Sequence, residues 1–268
     1  MTTIINGQEI ANSLLKTIDT SKANEKKICF VSFGQNAASK KFVAMKTKVA
    51  EKLGVAVDVV EGEADTTEEA LVCLADILDK AYDGVLLQLP VKEGIDADIL
   101  IDTIPAAADI DVLGEEARHF FRIKKSKRLP PVAEAVSLIL KEVKVDPKGK
   151  SVVILGEGRL VGEPVANLFE LEGVAYTTFN KDHSDKEIEA ALKAADIIVS
   201  GTGVANFLKP EMIKDGVVLI DAGTSGEMGS LKGDIDPGCK DKASVFTPVP
   251  GGIGPICVAS LFANLFRS

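Results

Sequence analysis

The chain has 268 residues, which is enough for two modest domains with hydrophobic cores of their own. Its hydrophobic fraction of 46% and charged fraction of 26% are ordinary for a soluble globular protein. The formal net charge of −9 argues against non-specific nucleic-acid binding, and any anionic ligand must be held by locally placed lysines or backbone amides. No apolar run reaches membrane-spanning length and the first residues lack a signal-peptide pattern, so we expect a cytoplasmic protein that binds neither nucleic acid nor membranes.

The first half of the chain alternates predicted strands and helices. Apolar runs predict strands at 28–33, 55–60 and 84–88. Helical periodicity predicts an N-terminal helix that ends near residue 18 and three further helices at 37–53, 66–80 and 95–104. Gly54 is a predicted C-cap, and a threonine in the pair Thr66-Thr67 is a predicted N-cap. Regular alternation of this kind predicts a mostly parallel sheet covered on both faces.

Residues 115–128 interrupt the alternation, and we interpret their basic run IKKSKR as a solvated surface loop. A predicted helix at 133–143 then leads into a second alternating series. Its strands are predicted at 152–155, 174–179, 196–200 and 217–220, with helices after the first strand, at 186–194 and near residue 211. We therefore predict a second, doubly wound domain, and a final apolar helix at 253–266 that packs back on the first domain.

The four cysteines are far apart in the chain. They are Cys29, Cys73, Cys239 and Cys257, and no two form a C-x-x-C pair. We predict isolated reduced thiols, with neither a disulfide framework nor a metal site.

Residues 151–173, SVVILGEGRLVGEPVANLFELEG, are the most informative stretch. An apolar run ends at Gly156, Gly158 and Gly162, and an apolar-periodic segment follows. Strand, glycine turn and helix in this order are typical of the first βα crossing of a dinucleotide-binding sheet, where the missing Cβ atoms let a pyrophosphate approach the helix amides. The spacing is G-x-G-x-x-x-G, so a tight turn without a ligand remains an alternative.

Residues 246–257, FTPVPGGIGPIC, resemble the T-P-V-P-G-G-V-G-P-M-T signature of the bifunctional methylenetetrahydrofolate dehydrogenase/cyclohydrolase family. The resemblance extends over nearly the whole chain, with motifs in the family's order. They are NAASKKFVAMK at 36–46, GVLLQLP at 84–90, ADIDV at 108–112, LGEGRLVGEP at 155–164 and GDID at 233–236. Several long motifs in one order are far more specific than any single one.

The resemblance implies an α/β fold of two domains. Residues 1–118 with 247–268 would form an N-terminal α/β catalytic, folate-binding domain, and residues 131–246 a Rossmann-type dinucleotide-binding domain with a parallel sheet. It also implies a pterin site in the cleft between them, a nicotinamide cofactor, and a homodimer formed through the cofactor domain. The implied activities are oxidation of 5,10-methylenetetrahydrofolate and hydrolysis of the methenyl product.

Site residues follow from the matched motifs. The family's lysine, glutamine and aspartate fall on the catalytic candidates Lys46, Gln88 and Asp111, and substrate contacts fall on Phe42, Pro250, Gly251 and Gly252. The cofactor-binding candidates are Gly156, Glu157, Gly158, Arg159, Val161, Gly162, Asn180, Lys181, Thr202 and Gly203. A lysine–glutamine pair suits proton movement at a water-attacked carbon, provided that burial lowers the lysine pKa. The alternative is a surface Lys46 and a Gln88 that only caps its strand.

The chain departs from the family pattern at several ligand positions. The family tyrosine is Phe42, the lysine and glycine of K-D-V-D-G are Ala108 and Val112, and the arginine and serine that recognise the cofactor's 2′-phosphate are Glu157 and Gly158. P-C-T-P, C-H-S and the final M-T are also replaced, at 130–133, 179–181 and 256–257. Two explanations compete: a divergent enzyme with altered cofactor preference, or a catalytically eroded member kept as a folate- or partner-binding protein.

Glu157 bears on the choice between NAD and NADP. A carboxylate at this turn would repel a 2′-phosphate and can accept hydrogen bonds from free ribose hydroxyls. We therefore predict that NAD is used at least as well as NADP. The alternatives are that Glu157 points to solvent and chooses nothing, or that Arg159 or Lys181 holds the phosphate.

Overall fold

The computed structural model describes residues 1–34, 37–225 and 231–267. Asn36, the first residue of the 36–46 motif, lies outside them. The chain divides into two compact units. The six-strand unit comprises Met1–Leu14 and Pro131–Ser260, and the three-strand unit comprises Leu15–Pro130 and Leu261–Ser268.

Strands and helices alternate along both units. In chain order they are β1 (Thr3–Ile4), α1 (Gly7–Leu15), β2 (Lys27–Phe33), α2 (Ala37–Leu53), β3 (Ala56–Gly62), α3 (Thr67–Leu78), β4 (Gly84–Gln88), α4 (Ala97–Thr103), α5 (Glu115–Arg122), α6 (Pro131–Glu142), β5 (Val152–Leu155), α7 (Gly162–Glu172), β6 (Thr177–Phe179), α8 (Asp185–Ala194), β7 (Ile197–Ser200), β8 (Val218–Asp221), β9 (Val245–Phe246) and α9 (Ile253–Phe266).

The three-strand unit is built on a parallel sheet in the order β3-β2-β4. All residues of β4 are buried, as expected for a strand covered on both faces. Thr66 caps α3 as predicted, because its hydroxyl accepts the Glu69 N–H while the Glu69 side chain accepts the Thr66 N–H. The carboxyl ends of the parallel strands therefore meet at one edge of this sheet.

The six-strand unit has a parallel sheet in the order β1-β9-β8-β7-β5-β6. Its central strands β5, β7 and β8 are buried throughout. One apolar face packs against α6 and α7 and the other against α8. The predicted parallel sheet covered by helices on both faces is confirmed.

The two chain ends do not follow the expected domain boundaries. Thr3 and Ile4 pair with Val245 and Phe246 in parallel, which places the N-terminal residues in the six-strand unit together with those up to Ser260. The boundaries expected from the sequence differ from these units for residues 1–14 and 247–260, which they assign to the first domain. Strands of two residues carry no periodicity, so β1 and β9 were missed from the sequence.

Residues 115–128 begin with a helix that the sequence does not predict, and the interpretation of IKKSKR as a solvated surface loop is wrong at its last residue. α5 fills the first eight residues, beginning with two acidic side chains that favour a helix N-terminus. Arg128, at the end of the basic run, is half-buried rather than solvated. Its Nη1 donates to the carbonyl of Ala106 at 2.9 Å and its Nε to that of Asn264 at 3.2 Å.

The final helix α9 has the predicted bounds, and the division between the units falls within it. Its buried Asn264 donates through Nδ2 to the carbonyls of Ile110 and Leu129 at 2.9 and 2.7 Å. The last turns therefore belong to the three-strand unit, in agreement with the expected return of the helix.

No helix in the described ranges is long and apolar enough to cross a membrane. All four cysteines are free thiols.

Candidate active site

Lys46 and Gln88 meet at the carboxyl end of the small sheet. Lys46 lies on α2, one helical turn after Phe42, so the two side chains share a helix face. Gln88 is the last residue of β4 and is buried. The Lys46 Nζ donates to Gln88 Oε1 at 3.0 Å, and Gln88 Nε2 donates to the Leu89 carbonyl at 2.6 Å. The second bond fixes the amide so that its oxygen faces the lysine.

The loop that carries Asp111 is organised by a neighbouring carboxylate, Asp109. The Asp109 Oδ1 accepts the Asp111 N–H at 3.0 Å, and its Oδ2 accepts the N–H groups of Leu113 and Gly114 at 2.9 and 2.8 Å. Burial raises the pKa of Asp109, against the opposing effect of these backbone donors. Sequence reasoning missed Asp109, although the D-x-D spacing in the ADIDV motif is compatible with such a turn.

Asp111 lies within the electrostatic reach of Lys46. Burial raises the pKa of Asp111 to about 6, the positive charge of Lys46 opposes this rise, and the nearby Asp109 adds to it. The three predicted catalytic residues are thus brought together in one unit, from a helix, a strand end and a loop. A carboxyl group poised near neutrality beside a lysine can exchange roles between charged acceptor and neutral donor.

Val112 adopts a backbone conformation that suits glycine, which stands here in the family pattern. Its φ is +55°, in the left-handed region, and its side chain is buried. A β-branched residue in this region is an outlier that costs on the order of 1–2 kcal/mol. The loop therefore adopts a left-handed conformation at this position although a valine occupies it.

The predicted glycine turn lies between β5 and α7 of the large sheet. A Cβ on Gly162 would lie 1.8 Å from the carbonyl oxygen of Gly156, and a Cβ on Gly156 would lie 2.5 Å from that of Gly201. A Cβ on Gly158 would meet nothing within 4 Å. Two of the glycines are therefore required by packing of the chain on itself, whereas Gly158 leaves open space. Val161 at the helix N-cap provides no side-chain cap. The N–H groups of Val161 and Glu163 instead donate to the Gly158 carbonyl at 3.3 and 3.1 Å, so the turn itself closes the start of α7.

Glu157 points along the sheet edge toward the end of β6. Its Oε1 accepts the Thr178 hydroxyl at 2.6 Å and its Oε2 accepts Asn180 Nδ2 at 2.7 Å. The hydrogen bond from Thr178, followed by that from Asn180, holds the pKa of Glu157 below its usual range. Thr178 was missed from the sequence, because its role depends on the pairing of β5 with β6. Lys181, next to Asn180, is exposed.

Thr202 and Gly203 follow β7, whose last residue Ser200 is in register with Leu155 of β5. This register places their loop beside the glycine turn. Arg159 is half-buried within that turn. The predicted cofactor residues are therefore gathered at the carboxyl ends of β5, β6 and β7, which is where open α/β sheets bind ligands.

The loop of Pro250, Gly251 and Gly252 is part of the six-strand unit, between β9 and α9. Gly251 has a φ of +101°, and its carbonyl accepts the Gly7 N–H at 2.9 Å. A Cβ on Gly7 would lie 1.7 Å from the Gly252 carbonyl oxygen, so the start of α1 closes directly on this loop. The sequence also predicts that this loop and Lys46 line the same cleft, and this stays a prediction.

The fold and these sites define a two-part α/β protein with a lysine–glutamine–aspartate group on one sheet edge and a dinucleotide-type glycine turn on another. Comparison with known proteins identifies its family. The tetrahydrofolate dehydrogenase/cyclohydrolase catalytic domain matches residues 5–111, and the NAD(P)-binding domain of the same family matches residues 130–268. The chain belongs to the tetrahydrofolate dehydrogenase/cyclohydrolase family, and its second half is a nicotinamide cofactor-binding domain.

Relatives match over almost the full length. The bifunctional protein FolD of Lactobacillus acidophilus is 39% identical, over 98% of this chain and 96% of its own. The methylenetetrahydrofolate dehydrogenase-cyclohydrolase (FolD) of Trypanosoma brucei, solved with NADP and an inhibitor, has a TM-score of 0.88 at 28% identity, covering 98% of this chain and 96% of that one. The NAD-dependent 5,10-methylenetetrahydrofolate dehydrogenase of Saccharomyces cerevisiae is 16% identical, with a TM-score of 0.80. The match covers 99% of this chain and 96% of that one, and at this identity it shows a shared fold.

Proposed function

We propose that the protein oxidises 5,10-methylenetetrahydrofolate to the 5,10-methenyl form with a nicotinamide cofactor, and hydrolyses the methenyl form to 10-formyltetrahydrofolate. The observation that carries this proposal is the 3.0 Å contact between Lys46 Nζ and Gln88 Oε1, with Asp111 in electrostatic reach of the lysine. A lysine held by a buried amide beside a half-buried carboxyl group is suited to proton transfer, which a solvated surface lysine is not.

In the oxidation, the methylene C–H bond breaks and its electron pair leaves with the hydrogen as hydride. When bound, the nicotinamide supplies the acceptor for this hydride at its C4. The remaining positive charge is delocalised over the two folate nitrogens and the carbon between them. Asp111 would hold the pterin through its carboxylate and favour that charge, and the Phe42 ring would stack on the pterin. The missing tyrosine hydroxyl costs about 0.5–1.5 kcal/mol of hydrogen bonding in a typical case, so activity need not be lost.

In the hydrolysis, water adds to the methenyl carbon and loses a proton. The hydroxyl group formed in this way then loses its own proton to give the formyl C=O as the bond from this carbon to N5 breaks and N5 takes a proton. The formyl group stays on N10, so that one proton is released overall. Lys46 would move these protons at Nζ, acting as base in its neutral form and as acid in its charged form. Gln88 would orient Nζ through the carbonyl oxygen that it presents. General acid–base groups of this kind contribute about 10²–10⁴-fold.

The cofactor would lie at the edge formed by β5, β6 and β7. The glycine turn before α7, with open space at Gly158, fits a pyrophosphate that approaches the start of the helix. The Glu157 carboxylate, held against the end of β6, fits free ribose hydroxyls and opposes a 2′-phosphate. We therefore propose that NAD is used at least as well as NADP. Strong NADP preference would mean that Arg159 or Lys181 holds the phosphate.

The assay pair that tests the proposal follows absorbance of the methenyl product during oxidation and its decay during hydrolysis. Either activity in the purified chain supports an enzyme. If both are absent, calorimetric titration with folate separates an eroded binding protein from a chain without a folate site. A homodimer through the cofactor-binding unit and a cytoplasmic location are further proposals, and light scattering tests the first.

A further inference from the structure

A fully buried carboxylate, that of Asp234, ties down the loop after β7. Its Oδ2 accepts three hydrogen bonds: from Ser200 Oγ at 2.9 Å, from the Thr202 N–H at 2.6 Å and from the Gly203 N–H at 3.3 Å. The donors belong to the last residue of the strand and to the loop that follows it. One side chain, more than thirty residues further along the chain, therefore anchors this loop through three donors.

The loop held by Asp234 forms one wall of the predicted cofactor site. The Gly201 N–H donates to the Leu155 carbonyl at 2.8 Å, and a Cβ on Gly156 would lie 2.5 Å from the Gly201 carbonyl oxygen. The loop and the glycine turn are thus in direct contact at the ends of adjacent strands. A displacement of the loop would change the space available to a dinucleotide.

The position of Asp234 is itself restrained from behind. Its own N–H donates to Asp221 Oδ1 at 3.1 Å, and a Cβ on Gly223 would lie 1.9 Å from Asp234 Oδ1. Among the described residues, Oδ1 has no hydrogen-bond partner. A buried carboxylate oxygen without a partner is costly, so stability alone does not explain an aspartate here.

We infer that Asp234 is a positioning residue for the nicotinamide cofactor: it holds the Thr202–Gly203 loop in the conformation that receives the dinucleotide. The inference rests on the proposed function, since it takes this edge of the sheet as the cofactor site. The three donors to its Oδ2 all belong to the six-strand unit, whereas Lys46, Gln88 and Asp111 belong to the three-strand unit. Asp234 should therefore affect the oxidation, which needs the cofactor, and not the hydrolysis, which does not.

The test is Asp234→Asn, with Asp236→Asn as a matched control. The control neutralises an aspartate two residues away that is bonded to Lys209 outside this cluster. Because charge-assisted hydrogen bonds are roughly twice as strong as neutral ones, we expect Asp234→Asn to raise the calorimetric Kd and the KM for the cofactor about tenfold or more. Hydrolysis of the methenyl substrate and the KM for folate should stay within about twofold of the unmodified protein.

Unchanged cofactor binding in a folded Asp234→Asn protein overturns the inference. If that variant loses both activities together with its thermal transition, Ser200→Ala decides, because it removes one donor and keeps the carboxylate. A severalfold weaker cofactor affinity with normal hydrolysis supports the role, and unchanged affinity overturns it. Calorimetry on the unmodified protein separates the proposed activity from the proposed role of Asp234. Cofactor binding without oxidation contradicts the proposed activity only, whereas no binding of either NAD or NADP contradicts both proposals.

Discussion

Glu157 and Asn180 lie at the ends of the neighbouring strands β5 and β6 and are joined by a 2.7 Å hydrogen bond from Nδ2 to Oε2. The bond turns the carboxylate of the glycine turn toward the strand end at which an adenosine ribose binds in this kind of sheet. The alternative that Glu157 points freely into solvent is therefore not what the structure shows, although the side chain remains exposed.

Replacing Glu157 should change cofactor preference. Glu157→Gln keeps the size of the side chain and removes the charge that opposes a 2′-phosphate. At a few ångströms through water-like dielectric this repulsion is worth on the order of 1–2 kcal/mol, so the ratio of kcat/KM for NADP over NAD should rise about fivefold to thirtyfold. Glu172→Gln, at the far end of α7, is the control and should leave the ratio unchanged. An unchanged ratio for Glu157→Gln would show that this carboxylate does not select the cofactor.

Lys46 should be required for hydrolysis of the methenyl substrate. Lys46→Met keeps the length of the aliphatic chain but removes the group that moves protons, so the hydrolytic rate should fall about 10²–10⁴-fold. Lys48→Met is the control, since this lysine of α2 lies about 200° around the helix from Lys46. Hydrolysis that survives in Lys46→Met would assign the chemistry to another group.

Folate binding should depend on the charge of Asp111. Its pKa is raised to about 6, so the free protein has mostly the neutral carboxyl below that pH and mostly the carboxylate above it. If the carboxylate grips the pterin, kcat/KM for the methylene substrate should fall by up to about tenfold per pH unit below this value. Asp111→Asn should have a lower but flatter profile. A wild-type profile without an inflection near this pH would argue against the role.

The raised pKa of Asp111 also affects the stability of the fold, in the opposite direction: activity should fall as the pH is lowered, whereas stability should fall as the pH is raised. The folded state holds the proton of Asp111 more tightly than the unfolded chain, in which an aspartate titrates near 3.8. The stability contributed by this group is therefore full below about pH 4 and is lost as the pH rises to about 6. Asp111→Asn should gain stability relative to the unmodified protein over this window, measured by urea denaturation at a series of pH values. A constant difference would contradict the raised pKa.

At position 112 a glycine variant should be at least as stable as an alanine variant, which is the reverse of the usual order of stability. Val112→Ala keeps a side chain in the left-handed conformation, whereas Val112→Gly removes the penalty of about 1–2 kcal/mol along with the side chain. We expect both variants to lose buried apolar contact, and the glycine variant to be no less stable than the alanine variant in denaturant unfolding. Val85, buried in β4 with an ordinary strand backbone, is the control, and there alanine should be the more stable replacement. A less stable glycine at both positions would show that Val112 carries no strain.

Local pattern alone determined most of the helices and strands. The bounds of α2, β4 and α9 agree with the predictions to the residue, because each has a long apolar period or run that ends at a glycine, a proline or a polar segment. α5 was not predicted, since its eight residues interrupt the alternation of strands and helices and are followed by a basic run. β1 and β9 were missed because strands of two residues acquire their hydrogen bonds only from partners far away in the chain.

The sequence by itself determined which family's motifs the chain carries and which residues could perform the chemistry: Lys46, Gln88, Asp111 and Glu157. Only the tertiary structure decided how these side chains are held. Lys46 on α2 reaches Gln88 at the end of β4 across the small sheet, Glu157 turns to Thr178 because β5 pairs with β6, and Asp234 reaches the loop after β7 from beyond β8. Hydrogen bonds between residues tens of positions apart depend on sheet order and register, and these are set by the packing of the whole unit rather than by any local pattern.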